Sequence, residues 1–217
     1  FVATFETAAT QADEIVCLTL SSALSATHSA AQAARQIFQE SNPAHLVHVI
    51  DTRSAAAAQG LMALAAGRCA REGKTASRIV SDVSRWQQTI TLYGYLDSLY
   101  HVWKSGRVPR ALMWMGTLLN VKPVLQLANG EIGMVERPRT EPRAMNRVVA
   151  LAEKTAGAFP VRIAVIHADA RQQAERLEER LQTTLSPVEM FISELTPVIG
   201  AHTGPGVVGC AIHRIEE

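Results

Sequence analysis

The chain has 217 residues, 47% of them hydrophobic and 19% charged, which is enough for one large globular domain or two small ones. Its 21 basic and 20 acidic residues nearly cancel, so we do not expect a nucleic-acid partner that needs a broad basic face. No run approaches the roughly eighteen apolar residues of a membrane-spanning helix, and none is predicted.

The cysteines and the first residue bear on the cellular context. Cys17, Cys69 and Cys210 are far apart and each lies in an apolar segment, which favours reduced core positions in a cytoplasmic protein. Phe1 is not a start methionine, and no signal-peptide pattern follows it. We therefore expect a fragment that begins inside a longer protein.

The first half of the chain alternates strands and helices. The predicted elements are a helix over 1–11, strands over 14–19 and 46–51, and helices over 29–40, 55–71 and 75–88. Short connections between them predict a parallel sheet covered by helices. On the helix over 29–40, Ala30, Ala33, Ala34 and Ile37 mark the expected buried face.

The pattern changes after residue 90. The predicted elements are a strand over 92–96, helical turns over 97–103, a helix over 109–119, strands over 121–127 and 131–136, helices over 141–157 and 170–185, and strands over 161–167, 188–193 and 207–212. Asn129-Gly130 between two apolar runs predicts an antiparallel hairpin, which does not belong in a parallel sheet. We therefore predict an α/β fold in two parts: a domain over 1–95 and a smaller α/β domain over 96–217 with a mixed or antiparallel sheet.

A loop rich in hydroxyl groups, residues 18–28, joins the first strand to the following helix. Free backbone N–H groups and the positive end of the helix dipole favour a bound anion at this point. Ser22 and Ser25 add neutral donors, which suit a carboxylate or a phosphate. The alternative is that the hydroxyls only cap the helix, and the spacing leaves both interpretations open.

Three side chains later in the chain are candidates for binding or proton transfer. His202 lies between Gly200 and Gly204 in a predicted loop, where an imidazole can bond an acid group or relay a proton. Arg107 and Arg139 are the basic candidates; for Arg139 and its neighbours the alternative is a solvated charge cluster. For His202 the alternative is a surface histidine in a turn.

Several chemistries have no motif in this sequence. There is no G-x-S-x-G nucleophile elbow, no zinc-ligand spacing, no G-x-G-x-x-G and no Walker lysine loop. Two alternatives to a binding protein remain. One is a transferase or hydrolase with His202 as general base and Asp51 or Asp97 as a second polar group; the other is an interaction module.

The motifs, taken together, resemble those of the DegV family of bacterial fatty-acid-binding proteins. The matching segments are LTLSSALSAT at 18–27 (family pattern L-T/S-x-S-S-x-L-S-G-T), DTRS at 51–54, Gly60, SGRV at 105–108, GTLLNVKP at 116–123, Arg139-Thr140, His167-Ala168 and VIGAHTGPG at 198–206. They follow the family order over nearly the whole chain. The resemblance implies a larger α/β domain, a smaller mixed domain, and one long-chain fatty acid in a tunnel at their junction.

The resemblance also implies a role for individual residues. The family serine that holds the fatty-acid carboxyl matches Ser25, with Ser22 close by, and the glycine-flanked histidine matches His202. Arg139, with His202, would serve transfer to a dihydroxyacetone-kinase-like, ATP-dependent fatty acid kinase, which would make the acyl phosphate used in phospholipid synthesis. The expected tunnel lining is Leu99, Leu112, Met113, Met115 and Leu119. The protein itself would be a cytoplasmic carrier, not an enzyme, with no cofactor and with transient contact to a membrane surface.

Departures from the family pattern mark where the resemblance is weakest. The first family strand and a T-S-Q-P-S-like segment should precede Phe1, so the expected carboxyl site is incomplete in these residues. Ala26 replaces a glycine, and His28 replaces an aromatic residue, which could bring a second imidazole near the acid. Pro142 stands where a basic residue is common, which weakens the cationic patch expected around Arg139.

Overall fold

The computed structural model describes residues 1–108 and 121–216. The helices there are α1 (Val2–Ala9), α2 (Thr27–Ser41), α3 (Ala56–Arg71), α4 (Ala76–Thr89), α5 (Tyr100–Lys104), α6 (Glu141–Ala156), α7 (Arg171–Leu185) and α8 (Pro197–Thr203). The strands are β1 (Glu14–Thr19), β2 (Leu46–Asp51), β3 (Ile90–Tyr95), β4 (Val124–Ala128), β5 (Glu131–Glu136), β6 (Val161–Ala168), β7 (Glu189–Glu194) and β8 (Val207–Arg214). The helix predicted over 109–119 lies outside the described residues.

The strands form two sheets. β1 and β2 pair in parallel, in a register that sets Thr19 opposite Asp51. The other six strands form a mixed sheet in the order β5-β4-β3-β8-β6-β7, in which only β6 and β7 run parallel. The predicted α/β class, a parallel sheet plus a mixed one, is confirmed.

Helices separate and cover the two sheets. α3 and α4 lie between them: Leu61 and Val83 belong to an apolar cluster that also touches Leu18 on one side and Ala211 on the other. α6 and α7 cover the far face of the larger sheet, and α1 and α2 cover the small one. The larger sheet is therefore buried on both faces, which explains the near-continuous apolar sequence of β6 and β8.

β3 belongs to the larger sheet. It pairs antiparallel with both β4 and β8, although the sequence analysis placed this strand in the first domain. Apolar composition alone does not show which partner a strand takes, since buried strands of either sheet look alike. The domain division after residue 95 stays a prediction.

The buried face of α2 differs from the predicted one. Ala31, Ala34 and Phe38 are buried, whereas Ile37 is 57% exposed. Phe38 and Phe5 pack edge to face with ring centroids 6.0 Å apart. Burying this aromatic pair removes more apolar surface from water than burying Ile37 among alanines would, and that difference sets the rotation of the helix.

The remaining sequence predictions concern the hairpin turn, the buried stripe of α7, the cysteines and membrane-spanning helices. Asn129 and Gly130 have φ of 52° and 86°, as the predicted hairpin turn requires, and the stripe containing Leu177 and Leu181 is buried on α7. All three cysteines are free thiols. Within the described ranges, no helix combines the length and apolar character needed to cross a bilayer.

Gly209 on β8 should not tolerate a side chain. A Cβ there would overlap the carbonyl oxygen of Tyr93 and the Cα of Gly94 on β3, because the two strands pair at two glycines. We expect Gly209→Ala to lower the free energy of unfolding by about 1–3 kcal/mol, the usual cost of overpacking, as measured by urea denaturation. Gly133→Ala on β5 is the matched control, since nothing lies within 4 Å of its added Cβ. Equal changes in both variants would contradict this packing.

Candidate functional site

A cavity of about 310 Å³ lies between the two sheets. Its wall comes from the loop after β1, the start of α3, the inner face of the larger sheet, and α8. The lining residues are Leu20, Leu24, Ser25, Thr27, Ala55, Ala56, Gln59, Leu92, Gly94, Leu96, Arg107, Leu125, Gln126, Leu127, Ile132, Ile166, Leu195, Val198, Ile199, His202, Thr203 and Val207. Most of these side chains are aliphatic, with a few polar groups among them, a composition typical of small-molecule sites.

The loop after β1 is fixed by hydrogen bonds to both sides of the cavity. The Ser21 N–H donates to the Ser54 carbonyl at 2.7 Å, which holds the loop against the segment that leads into α3. The buried Ser21 hydroxyl donates to the Gly130 carbonyl at 3.0 Å, which ties the loop to the β4–β5 hairpin. The loop is thereby held against the larger sheet, and Ser25 reaches the cavity.

Ser25 both caps its own turn and lines the cavity. Its Oγ accepts the Thr27 N–H at 3.2 Å and lies 2.8 Å from the Thr27 hydroxyl. Either hydroxyl can donate in this pair, and when Thr27 donates, the Ser25 O–H proton is available to another acceptor. The two interpretations of the hydroxyl loop are therefore compatible at this residue.

His202 lies in the last turn of α8, not in an open loop as predicted. Pro197 is well suited to the first turn of this helix, and Gly204 ends it with φ of 82°. A Cβ at Gly204 would also overlap the ring of His101 next to it in α5. The Pro and Gly residues therefore delimit a short helix that places the half-buried His202 on the cavity wall.

The structure does not bring all predicted polar residues to the cavity. Ser22 is exposed and its hydroxyl donates to Asp51 Oδ2 at 2.6 Å, and it does not line the wall. Arg139 is exposed in the link between β5 and α6, also away from the wall. Of the two basic candidates, Arg107 is the one at the cavity. His28, considered as a second imidazole near the acid, lies with Nδ1 3.0 Å from the Thr19 hydroxyl.

The predicted tunnel lining is described at one position only. Leu99 is 5% exposed and belongs to the same apolar cluster as Leu96 and Val207, which line the cavity, but it does not line the cavity itself. The other four predicted residues lie outside the described residues: Leu112, Met113, Met115 and Leu119.

Three polar residues of the wall were not predicted from the sequence: Gln59, Gln126 and Thr203. Gln59 donates from Nε2 to the Leu18 carbonyl at 3.0 Å, and Gln126 to the Tyr93 hydroxyl at 3.3 Å. A lone glutamine inside an apolar helix or strand was the available signal. Among the described residues, no group of three or more His, Cys, Asp or Glu is placed to hold a metal ion.

Asp51 fixes the outer part of the hydroxyl loop. Besides the Ser22 hydroxyl it accepts the N–H of Ser22 at 3.2 Å and that of Arg53 at 2.8 Å. Burial acts to raise the pKa of Asp51, but the hydrogen bonds from Ser22 and Arg53 outweigh it, so the pKa lies below its ordinary value. Asp51 is therefore a charged anchor of the loop.

Fold and site together define a two-sheet α/β protein with an apolar cavity and a hydroxyl-bearing loop at its wall. Residues 1–214 match the family model described as "Uncharacterised protein, DegV family". The chain belongs to the DegV family.

Relatives of this chain include proteins of known structure. A DegV domain-containing protein of Streptomyces coelicolor is 39% identical over 202 residues, which is 93% of this chain and 70% of the relative. The crystal structure of DegV from Bacillus subtilis, described as a fatty acid binding protein, matches with a TM-score of 0.88 at 31% identity, over 99% of this chain and 75% of that one. A DegV family protein from Thermus thermophilus, described by its fatty acid binding, matches with a TM-score of 0.91 at 28% identity and the same coverages.

The Asp51–Ser22 contact predicts a pH dependence. Because the folded-state pKa of Asp51 is lowered, its contribution to stability is present above the unfolded value of about 3.9 and is lost as pH falls through the folded value. Ser22→Ala should raise the Asp51 pKa toward its ordinary value, as followed by carboxyl-carbon NMR. Ser84→Ala, which removes an exposed hydroxyl on α4, is the control. An unchanged Asp51 titration in Ser22→Ala would contradict the assignment.

Proposed function

We propose that this protein binds one long-chain fatty acid in the cavity between its sheets and acts as a carrier for it. The observation that carries the proposal is that Ser25 and His202, far apart in sequence, line the same largely aliphatic cavity. The fatty-acid-binding descriptions of the Bacillus subtilis and Thermus thermophilus structures support it.

The apolar wall would supply most of the affinity. Each methylene that leaves water contributes about 0.8 kcal/mol, and the side chains from β3, β4 and β8 offer a continuous apolar surface to an acyl chain.

The carboxyl group would be held by hydrogen bonds. A buried carboxylate is costly unless its oxygens are bonded, and the cavity offers the Ser25 O–H, the His202 ring and the Arg107 guanidinium. Arg107 donates from Nη1 to the Ser105 carbonyl at 2.7 Å, which holds its side chain near the wall. Ser22 would act indirectly, by holding Asp51 and the loop that presents Ser25.

Delivery of the fatty acid is the second part of the proposal. Val198 on α8 lines the cavity and is 71% exposed, so the cavity reaches the surface there. Tyr100 and Trp103 on the adjacent α5 are also partly exposed, which suits transient contact with a membrane surface.

We propose that a partner ATP-dependent kinase in the cytoplasm receives the carboxyl group and makes the acyl phosphate. Arg139 would lie at the contact with the kinase, because it is exposed and basic.

The alternative of a His202-based transferase or hydrolase lacks a nearby acid partner. Asp51 is held by Ser22 and Arg53, and Asp97 pairs with Lys122 at 2.7 Å. Neither carboxylate lines the cavity. Within the described residues His202 therefore has no carboxylate beside it in the cavity, and the geometry favours binding.

Removing the proposed carboxyl contacts should reduce retention of the fatty acid. In Ser25→Ala and His202→Ala, we expect the fraction of protein that keeps a bound C14–C18 acid in native mass spectrometry to fall several-fold. Each variant loses a hydrogen bond to a charged group, worth about 1.5–3 kcal/mol. Ser84→Ala, on the surface of α4, should retain lipid like the parent. Retention equal to the parent in both cavity variants would refute the carboxyl site.

Arg139 should matter for transfer and not for binding. Arg139→Ala is expected to leave lipid retention unchanged, because the residue is away from the cavity, and to slow acyl-phosphate formation when a fatty acid kinase and ATP are added. Arg180→Gln is the control, since Arg180 is an exposed arginine of α7 bonded to Asn146. Unchanged turnover in Arg139→Ala would remove this residue from the kinase contact.

A further inference from the structure

A second cavity, of about 180 Å³, lies at the other end of β8. Val207 lines the apolar cavity and His213 lines this one, and six residue steps of extended strand separate them by roughly 20 Å. The second cavity, named the basic cavity here, is lined by polar and charged side chains that include Arg68, Lys74, Trp86, Arg162 and His213. None of these residues lines the proposed fatty-acid site.

Two side chains of the basic cavity carry buried nitrogen atoms without a partner in the described part of the chain. They are Nη1 of Arg68 and Nδ1 of His213. His213 as a whole is 4% exposed. Buried polar atoms are rarely left unpaired, and an unpaired charged donor is the most costly kind. Their meeting in one cavity indicates a missing acceptor.

The protein's own carboxylates are already engaged. Both oxygens of Glu189 accept from Arg68 Nη2, at 2.8 and 2.6 Å, and one of them also lies 3.4 Å from Arg162 Nε. Glu216 pairs with Arg214. The other carboxylates nearby are also paired, Asp82 with Arg85 and Glu72 with Lys74. The unpaired nitrogens therefore remain after these bonds are counted.

The electrostatics point the same way. Burial first, and then the charges of Arg162 and Arg68, lower the pKa of His213 to about 4. Burial disfavours any charge here, but the positive charges of the two arginines would favour a bound anion. Trp86 packs edge-on against His213 with ring centroids 6.0 Å apart and supplies an apolar side to the cavity.

We propose that the basic cavity binds a small soluble anion carrying a phosphate group. Arg68 lies on α3, Arg162 on β6 and His213 on β8, so donors reach the cavity from three different elements. A tetrahedral phosphate accepts hydrogen bonds from several directions at once, and guanidinium groups match its oxygens. The cavity volume suits such a group and is smaller than the apolar one.

The test is a titration with inorganic phosphate against sodium chloride at constant ionic strength, so that general screening does not change. The His213 ring is followed by nitrogen NMR, with its signal identified by His213→Gln among the seven histidines. We expect a saturable shift of this signal and a rise in the His213 pKa at saturating phosphate. In Arg68→Gln and Arg162→Gln the half-saturating phosphate concentration should increase at least tenfold, while Arg180→Gln should match the parent.

Three results would overturn the proposal. They are the absence of a saturable shift, equal half-saturation in all variants, and a response that appears only with phosphatidic acid vesicles and not with free phosphate. Arg162→Gln keeps the Arg68–Glu189 pair, so it remains informative if Arg68→Gln fails to fold. Fatty-acid retention should be unchanged in Arg162→Gln, and a failure of the lipid proposal would leave this experiment unaffected.

Discussion

The buried hydrogen bond from the Ser21 hydroxyl to the Gly130 carbonyl joins the two sheets at the apolar cavity. Ser21 follows the small parallel sheet, and Gly130 is the tip of a hairpin in the larger one. Because both groups are shielded from water, breaking the bond would leave a polar atom unpaired on each side. The position of Ser25, four residues along the same loop, depends on this anchor, and so does the shape of the cavity wall.

The local sequence predicted the structure correctly where a single pattern was clear, as at the strand ends and the hairpin turn. β1 and β2 end where predicted, because each is an apolar run that stops at polar residues, and the Asn129-Gly130 turn has the backbone geometry that those residues favour. The DegV resemblance held across the chain because its motifs are spread along the whole sequence. Ser25 and His202 were named as parts of one site, and the structure does place both on one cavity.

Other features of the fold and the site depend on contacts between distant residues, which the sequence does not show. The rotation of α2 is set by the contact of Phe38 with Phe5, and the sheet to which β3 belongs is set by strands that follow it in the chain. Ser22 turned toward Asp51 because the parallel register brings the ends of β1 and β2 side by side. Arg107 lies at the cavity because α5, which precedes it, packs beside α8, and no local sequence pattern indicates that packing.

The contact between α5 and α8 has a mechanical consequence. His101 of α5 fills the space that the missing side chain of Gly204 leaves at the end of α8, so the two short helices fit together at that point. A movement of α8 large enough to admit a long molecule must either take α5 with it or break this fit. Under the proposed function, entry of a fatty acid at this end of the protein would involve both helices, and the exposed aromatic rings of α5 would move with the imidazole of α8.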